Sequence, residues 1–178
     1  MAGVEKRSDV AKGAGNCKAD FSKLERGSKI DAGVFMYGFD SYEETALNIL
    51  KSFRTIAVVG CSREEGKPSH DVPLYLQNAG YRIIPVNPFA DEILGEKAYK
   101  SLLDLKGIGV EVVDVFRPAR EAPGIAEQVV EIGARVLWLQ EGIISEAAEA
   151  YAKEHDLIFV QNRCMMKEHY RLKEEGKL

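Results

Sequence analysis

Short apolar runs alternate along the chain with longer stretches whose apolar residues recur at helical spacing. The run from Ile56 to Val59 is apolar at every position, which is typical of a strand buried on both faces of a parallel sheet. We predict five strands, at residues 56–59, 81–86, 110–116, 135–139 and 157–160. The intervening patterns predict helices at residues 41–53, 69–79, 101–105, 121–132, 145–155 and 163–174.

This alternation determines the predicted fold class. Helices of this length supply the right-handed crossovers that successive parallel strands require. The sequence therefore predicts an α/β, Rossmann-like doubly wound fold, with a five-stranded, mainly parallel sheet and helices on both faces. Order is expected to begin at Ser41, because Glu44 follows it at capping-box spacing. Residues 1–40 have weak periodicity and predict a variable, flexible N-terminal extension before a single domain at residues 41–178.

The segment after the first strand carries the strongest chemical signal. Gly60 allows a tight turn at the strand end, and a helix is predicted to start near residue 69. Free N–H groups at a helix N-terminus favour an anion. Further donors stand in the same loop, namely Ser62, Arg63, Lys67, Ser69 and His70. The segment is therefore predicted to hold the pyrophosphate of a nucleotide.

Polar or backbone-shaping residues follow all five predicted strands. In an open parallel sheet, ligands bind beyond the carboxyl ends of the strands, near the point where strand order reverses. Loops are polar in most proteins, so the pattern alone favours a site only modestly. The junctions are Gly60-Cys61-Ser62, Asn87-Pro88, Arg117-Pro118, Gln140-Glu141-Gly142 and Asn162-Arg163-Cys164.

Two common nucleotide motifs are missing from the first loop. A G-x-G-x-x-G fingerprint would need glycines where Ser62 and Glu65 stand, and Asn87 occupies the place of the acidic residue that binds a ribose. The sequence contains no G-x-x-x-x-G-K-[ST] motif. These absences disfavour NAD binding and ordinary NTPase chemistry, and leave a nucleotide-like anion held by a longer, cationic loop.

Composition narrows the class of protein further. The 178 residues carry a net charge of −4 with scattered cations, which argues against nucleic-acid binding. The sequence has no apolar run approaching the roughly 20 residues of a membrane span and no apolar signal-peptide centre, so we predict a cytoplasmic protein. Cys17, Cys61 and Cys164 are too widely spaced to indicate a zinc site or a disulfide framework. No metal site is predicted.

Five segments, in unbroken order over about residues 52–172, resemble the stand-alone CoA-binding domain proteins. They are IAVVGCSREEGKPSHDVPLYLQNAGYRIIPVNP, ILGEKAY, VVDVFRP, LWLQEGI and NRCMMKEH. That family is similar to the CoA-binding domain of the succinyl-CoA synthetase α subunit and of NDP-forming acyl-CoA synthetases. The resemblance implies a Rossmann-like site for coenzyme A or an acyl-CoA.

The resemblance also implies roles for individual residues. The loop at Gly60, Cys61, Ser62 and Arg63 would line the pyrophosphate. Asn87 and Pro88 would lie beside the adenosine, and Gln140, Glu141 and Gly142 along the pantetheine arm. The synthetases have lysines after their N-P pair where this chain has Phe89 and Ala90. A cation for the 3′-phosphate must then come from elsewhere, and Lys67 and Arg117 are the candidates.

Two classes of function follow. The first is a CoA-binding module without catalysis of its own. The second is an enzyme component, either a subunit of an acyl-CoA synthetase-like enzyme with a protein partner from acyl-CoA metabolism, or a small nucleotide-cofactor oxidoreductase. No catalytic residue is predicted: His155 is expected at a helix C-terminus and His169 on a solvated helix face. Cys164 and Trp138 are interpreted as packing residues, and the oligomeric state stays open.

Overall fold

The computed structural model describes residues 34–35 and 41–178. In these residues the strands are β1 (Val34–Phe35), β2 (Thr55–Val59), β3 (Arg82–Val86), β4 (Glu92–Ile93), β5 (Glu96–Lys97), β6 (Val112–Val115), β7 (Val136–Leu139) and β8 (Ile158–Val160). The α-helices are α1 (Tyr42–Ser52), α2 (Pro68–Asn78), α3 (Ala122–Ile132), α4 (Glu146–Glu154) and α5 (Met165–Glu174). Two 3₁₀ turns, Leu102–Leu105 and Ala119–Glu121, precede β6 and α3.

The main sheet has the strand order β1-β8-β7-β6-β2-β3. Strands β2, β3, β6, β7 and β8 of this sheet are parallel to one another, and β1 pairs antiparallel with β8 at the edge. From β2 the chain moves outward to β3 and then returns past β2 to form β6. The strand order therefore reverses between β2 and β6, and the chain leaves the carboxyl ends of these two strands in opposite directions.

Local sequence signals explain where several helices begin and end. The Ser41 hydroxyl accepts a hydrogen bond from the Glu44 N–H (3.3 Å), and Ser145 caps α4 in the same way. Pro68 occupies the first turn of α2, where a missing N–H costs nothing. After α3 the chain reverses at Gly133, whose φ of +77° lies in the left-handed region that favours glycine.

Two apolar layers cover the sheet. Helices α1, α2 and α5 pack on one face, and α3 and α4 pack on the other. Trp138 of β7 is fully buried in the first layer, and Phe159 of β8 is fully buried in the second. The indole N–H of Trp138 donates to the Arg163 carbonyl oxygen (2.7 Å), so its one polar atom is satisfied.

The predicted fold class is confirmed, and each of the five predicted strands forms within two residues of its expected bounds. Two features were not predicted. Val34–Phe35 forms the edge strand β1 inside the segment predicted as an extension, most of which lies outside the described residues. Strands β4 and β5 form a separate two-stranded hairpin. None of the described helices combines the length and apolar character that a membrane span requires.

Candidate functional site

A cleft of about 310 Å³ opens at the carboxyl ends of β2, β3 and β6, where the strand order reverses. Its apolar lining comes from Val59, Val86, Leu102 and Ile125. Its polar lining comes from the loop after β3, the residues just before the first 3₁₀ turn, the loop and second 3₁₀ turn after β6, and α3. It includes Asn87, Lys100, Ser101, Arg117, Glu121 and Gln128. A cleft with an apolar wall and a few polar groups is the usual form of a small-molecule site.

Gly60 ends β2 at the cleft and is required there for two reasons. Its φ of +86° lies in the left-handed region, which a side chain disfavours. A Cβ atom at Gly60 would also lie 2.9 Å from Cδ and 3.5 Å from Cγ of Arg117. The aliphatic part of Arg117 therefore lies directly across the glycine. A backbone position without a side chain is what allows this close approach.

Arg117 is held in one direction by Glu121, four residues later. Its Nε donates to Glu121 Oε2 at 2.8 Å, and its Nη2 donates to Glu121 Oε1 at 3.1 Å. This two-point geometry matches a guanidinium to a carboxylate and fixes its plane. The hydrogen bond to Arg117 keeps the pKa of Glu121 below its usual range, so the carboxylate is ionised at neutral pH. Both groups line the cleft.

The loop after β3 forms the opposite side of the cleft and is tied to its surroundings. The Asn87 side-chain amide donates to the Cys61 carbonyl oxygen (2.7 Å), which joins the loops after β2 and β3. Its Oδ1 accepts from the Phe89 N–H (2.8 Å). This anchored loop presents Phe89 at the cleft with 84% of its surface exposed. An exposed aromatic ring on a fixed loop suits stacking against a planar group.

A second cation of the cleft, Lys100, is also paired. Its Nζ donates to Asp91 Oδ1 (2.6 Å) and to the Ala90 carbonyl oxygen (2.8 Å). The pKa of Asp91 is lowered mainly by Lys100 and to a smaller extent by the charge of Arg63. Lys100 and Arg117 thus each face the cleft with a carboxylate already bound.

The loop between β2 and α2 is closed by its own polar groups. The Ser62 N–H donates to the Ser69 carbonyl oxygen (3.0 Å), and the Ser62 hydroxyl accepts from the Glu64 N–H (3.0 Å). Lys67 forms an ion pair with Glu64 (2.7 Å). Helix α2 starts directly after Lys67, which makes no side-chain cap. These contacts place a rigid turn beside the first N–H groups of α2.

Asp71 supports the same loop from within α2. Its Oδ1 accepts from the Gly66 N–H (3.1 Å) and lies 2.9 Å from Nδ1 of the buried His70. The hydrogen bond from His70 is the main reason that the pKa of Asp71 is lowered. His70 is thus engaged in the architecture of the loop.

The junction after β7 contains a buried polar pair. The Gln140 side-chain amide donates to both carboxylate oxygens of Asp114 in β6, at 2.8 and 2.9 Å. Burial raises the pKa of Asp114 to about 7, although the hydrogen bond from Gln140 opposes the rise. Glu141 pairs with Lys167 of α5 (2.6 Å), and the Gly142 N–H donates to Asn162 Oδ1 (2.8 Å). The loops after β7 and β8 are joined by this last contact.

The two described cysteines lie in the core on the Trp138 face of the sheet. Burial raises the pKa of Cys61 to about 12, and the charge of Asp114 adds to the rise. Burial also raises the pKa of Cys164, against backbone hydrogen bonds from Lys167 and Met166. A raised pKa disfavours the reactive thiolate at both positions. The interpretation of Cys164 as a packing residue agrees with this environment.

The prediction of a solvated His169 is wrong. His169 is buried between helices, with Nδ1 3.0 Å from the Tyr75 hydroxyl and edge-on contacts to the rings of Tyr75 and Tyr81. Burial lowers its pKa. His155, in contrast, lies at the C-cap of α4 as expected. Within residues 34–35 and 41–178, no three His, Cys, Asp or Glu side chains converge as a metal site.

Four of the twelve predicted binding residues line the cleft: Gly60, Asn87, Pro88 and Arg117. The others lie in the adjoining loops and at the start of α2, and their ligand contacts stay predictions. They are Cys61, Ser62, Arg63, Lys67, Ser69, Gln140, Glu141 and Gly142. Sequence reasoning missed three residues that line the cleft: Phe89, Lys100 and Glu121. Only Glu121 had a usable signal, because its four-residue distance from Arg117 is typical of an ion pair on a helical turn.

The sequence and the fold are similar to those of known proteins. A family model described as a CoA binding domain matches residues 54–170. The protein YneT of Bacillus subtilis is 41% identical over 121 residues, which span 68% of this chain and 89% of YneT. An ADP-forming acetate–CoA ligase of Archaeoglobus fulgidus is 30% identical over 134 residues, which span 72% of this chain but 20% of the ligase. A structure of a hypothetical protein from Pyrococcus horikoshii has a TM-score of 0.71 and 39% identity, and covers 75% of this chain and 94% of that one.

Proposed function

The chain belongs to the CoA-binding domain family, and from this premise we propose that it binds coenzyme A or an acyl-CoA at the cleft, without catalysis of its own. The observation that carries the proposal is the position of the cleft. It lies between the carboxyl ends of β2 and β6 and is lined by Gly60, and the loop that follows Gly60 leads into the N-terminus of α2. The cleft thus offers an apolar pocket for a base, and the positive end of the α2 dipole follows at the end of the loop from Gly60 to Lys67, where it favours phosphates.

In the proposed complex the adenine enters the cleft beside Val86 and Ile125, and stacks on Phe89. The pyrophosphate lies against the loop from Gly60 to Ser62, where the dipole of α2 favours negative charge. The pantetheine arm then runs toward the loops after β7 and β8. The hydrogen bond between Gly142 and Asn162 keeps these two loops together along that route.

The absence of catalysis is proposed on the character of the titratable groups near this route. Asp114 is fully buried in β6, an inner strand of the sheet, and both of its carboxylate oxygens accept hydrogen bonds from the Gln140 side-chain amide. The thiols of Cys61 and Cys164 have raised pKa values. A nucleophile or general base needs access to the substrate and a favourable protonation state. These groups are suited to support the fold.

A second candidate function is that of a subunit that delivers CoA to a catalytic partner. The observation in its favour is the similarity to a region amounting to 20% of an acetate–CoA ligase. An oxidoreductase is less favoured, because Asn87 stands where a carboxylate would bind a ribose and its amide already bonds Cys61 and Phe89. We propose a cytoplasmic location and CoA or acyl-CoA as partner, with neither nucleic acid nor membrane.

The proposal is tested by thermal unfolding and calorimetric titration with CoA, acetyl-CoA, NADH and ATP. A ligand at 100 times its Kd stabilises the native state by about 2.7 kcal/mol. For a domain of this size that corresponds to a Tm increase of roughly 5–10 °C. CoA and acetyl-CoA are expected to produce this shift, with smaller shifts from NADH and ATP. Equal or greater stabilisation by NADH would overturn the assignment.

A further inference from the structure

We propose that Glu121 is a specificity-determining residue that makes the cleft accept a nucleotide with a free ribose diol at least as well as one with a 3′-phosphate. The inference rests on the proposed function, because it concerns the nucleotide end of CoA. It predicts that dephospho-CoA binds as tightly as CoA or more tightly. Glu121 would act in two ways, by occupying Arg117 and by presenting its own negative charge.

The geometry around Glu121 supports the first effect. Both carboxylate oxygens accept from Arg117, at 2.8 and 3.1 Å, so the donors on that side of the guanidinium are committed. Arg120 is the other cation nearby, with Nη2 3.9 Å from Glu121, but its side chain is 80% exposed and it is not part of the cleft lining. A phosphate that approached the Nε–Nη2 edge of Arg117 would have to displace the Glu121 carboxylate, and one that approached Nη1 would meet a guanidinium whose charge Glu121 already balances.

The rest of the cleft offers no surplus of positive charge. Lys100 is bound to Asp91 and to the Ala90 carbonyl oxygen. The charge of Arg63 also lowers the pKa of Asp91. The cations that line the cleft are therefore matched by carboxylates, and a 3′-phosphate dianion would enter a region that is close to neutral.

The ionised Glu121 gives the second effect. Its side chain is about one third exposed and lines the cleft, so its charge acts on any group placed there. A carboxylate accepts hydrogen bonds from the hydroxyl groups of a ribose, whereas it repels a phosphate. The same residue thus favours a ribose diol and disfavours a phosphorylated ribose. Arg117 alone, without Glu121, would favour the opposite ligand.

The test is the ratio of CoA to dephospho-CoA affinity, measured by calorimetry for the parent protein and for Glu121→Gln. Glutamine keeps the length of the side chain and removes the charge. Two charges a few ångströms apart in a partly exposed cleft change a binding constant by about tenfold. We therefore expect Glu121→Gln to shift the ratio about tenfold toward CoA. Glu127→Gln on α3 makes the same charge change outside the cleft lining and is expected to leave the ratio unchanged.

The double variant Glu121→Gln/Arg117→Ala, compared with Arg117→Ala alone, shows how much of the effect passes through Arg117. The shift toward CoA should be smaller in this background than in the parent background, because only the loss of the Glu121 charge remains. A parent protein that binds dephospho-CoA as tightly as CoA or more tightly, together with a Glu121→Gln variant that gains CoA affinity, would support the inference. Parent binding with an unchanged ratio in Glu121→Gln, or an equal shift in Glu127→Gln, would overturn the inference alone. Binding of neither ligand by any variant would overturn the proposed function as well.

Discussion

Gly60→Ala tests the arrangement at the switch point of the sheet most directly. The substitution adds one methyl group at the end of β2. That methyl group meets two separate obstacles, the backbone conformation and the side chain of Arg117. The structure allows each to be given a magnitude.

The conformational cost of a non-glycine residue in the left-handed region is about 1–2 kcal/mol. Alanine also restricts the unfolded chain, which returns about 0.4–1 kcal/mol of stability. At Gly60 the new Cβ would lie 2.9 Å from Arg117 Cδ, so the arginine must shift, and we expect its two-point contact with Glu121 to break. An exposed pair of this kind contributes about 0.5–1 kcal/mol. The expected loss of stability is about 1.5 kcal/mol, equivalent to a Tm decrease of roughly 3–6 °C.

Gly109→Ala is the matched control for the backbone term. Gly109 has a φ of +85° and no atom within 4 Å of an added Cβ, and it precedes β6 at the far end of the strand from the cleft. Its replacement should cost about 1 kcal/mol or less and leave CoA affinity unchanged. Gly60→Ala should instead weaken CoA binding as well. Urea unfolding and calorimetric titration of both variants measure the two effects.

A thermodynamic cycle with Arg117→Ala isolates the contact. In the Arg117→Ala background the cost of Gly60→Ala should fall to that of Gly109→Ala, because the methyl group no longer meets Cδ. If Gly60→Ala lowers the free energy of unfolding no more than Gly109→Ala does in the parent background, the close approach of Arg117 to the glycine does not contribute to stability. If it costs nothing at all, the left-handed conformation of Gly60 is refuted as well.

Two further substitutions address the loop and the buried carboxylate. Ser62→Asp keeps an acceptor for the Glu64 N–H but places a negative charge beside the proposed pyrophosphate. It should weaken the affinity for CoA at least tenfold in calorimetry and leave the Tm of the free protein unchanged. The neutral Ser62→Asn should bind CoA more nearly like the parent. Equal affinity in Ser62→Asp would remove this loop from the site. Asp114 has a pKa of about 7 when folded and about 3.9 when unfolded, so the native state binds the extra proton and stability falls as pH rises from about 4 to 7. Asp114→Asn should flatten that fall in urea midpoints relative to the exposed control Asp156→Asn; an unchanged slope would mean that Asp114 titrates normally.

The strands and helices could be predicted because their signals are local. The apolar run at Ile56 to Val59 and the cap at Ser41 each specify an element without help from distant residues. The hairpin of β4 and β5 has no such signal. Its two-residue loop places Leu94 and Gly95 at φ of +57° and +72°, and leucine is not a residue that marks a turn of this kind.

The error at His169 has a different origin. Met165, His169 and Leu172 follow one another at helical spacing, so they lie on the same face of α5, and all three are buried. The spacing was visible in the sequence, but histidine was interpreted from its polarity. Its burial is possible because the Tyr75 hydroxyl satisfies one ring nitrogen and two tyrosine rings enclose the imidazole. A polar residue on an apolar stripe should therefore first be examined for a partner in the core.

The candidate site could be predicted only as far as strand ends define it. Gly60, Asn87 and Arg117 follow strands, and the parallel sheet brings them to one edge. Glu121 and Lys100 reach the cleft from a helix start and from the end of a hairpin, which no strand pattern indicates. The sequence thus identified the part of the cleft that supplies positive charge and missed the carboxylate that balances it.

The pairing of Arg117 with the Glu121 carboxylate connects the Gly60→Ala test with the Glu121→Gln test. In Gly60→Ala the arginine is pushed away while Glu121 stays ionised at the cleft, so the local charge becomes more negative. In Glu121→Gln the arginine stays and the negative charge is removed. Repulsion of a 3′-phosphate should therefore increase in the first variant and decrease in the second. The ratio of CoA to dephospho-CoA affinity should move in opposite directions in the two proteins, whereas mere loosening of the cleft would weaken both ligands by the same factor in each.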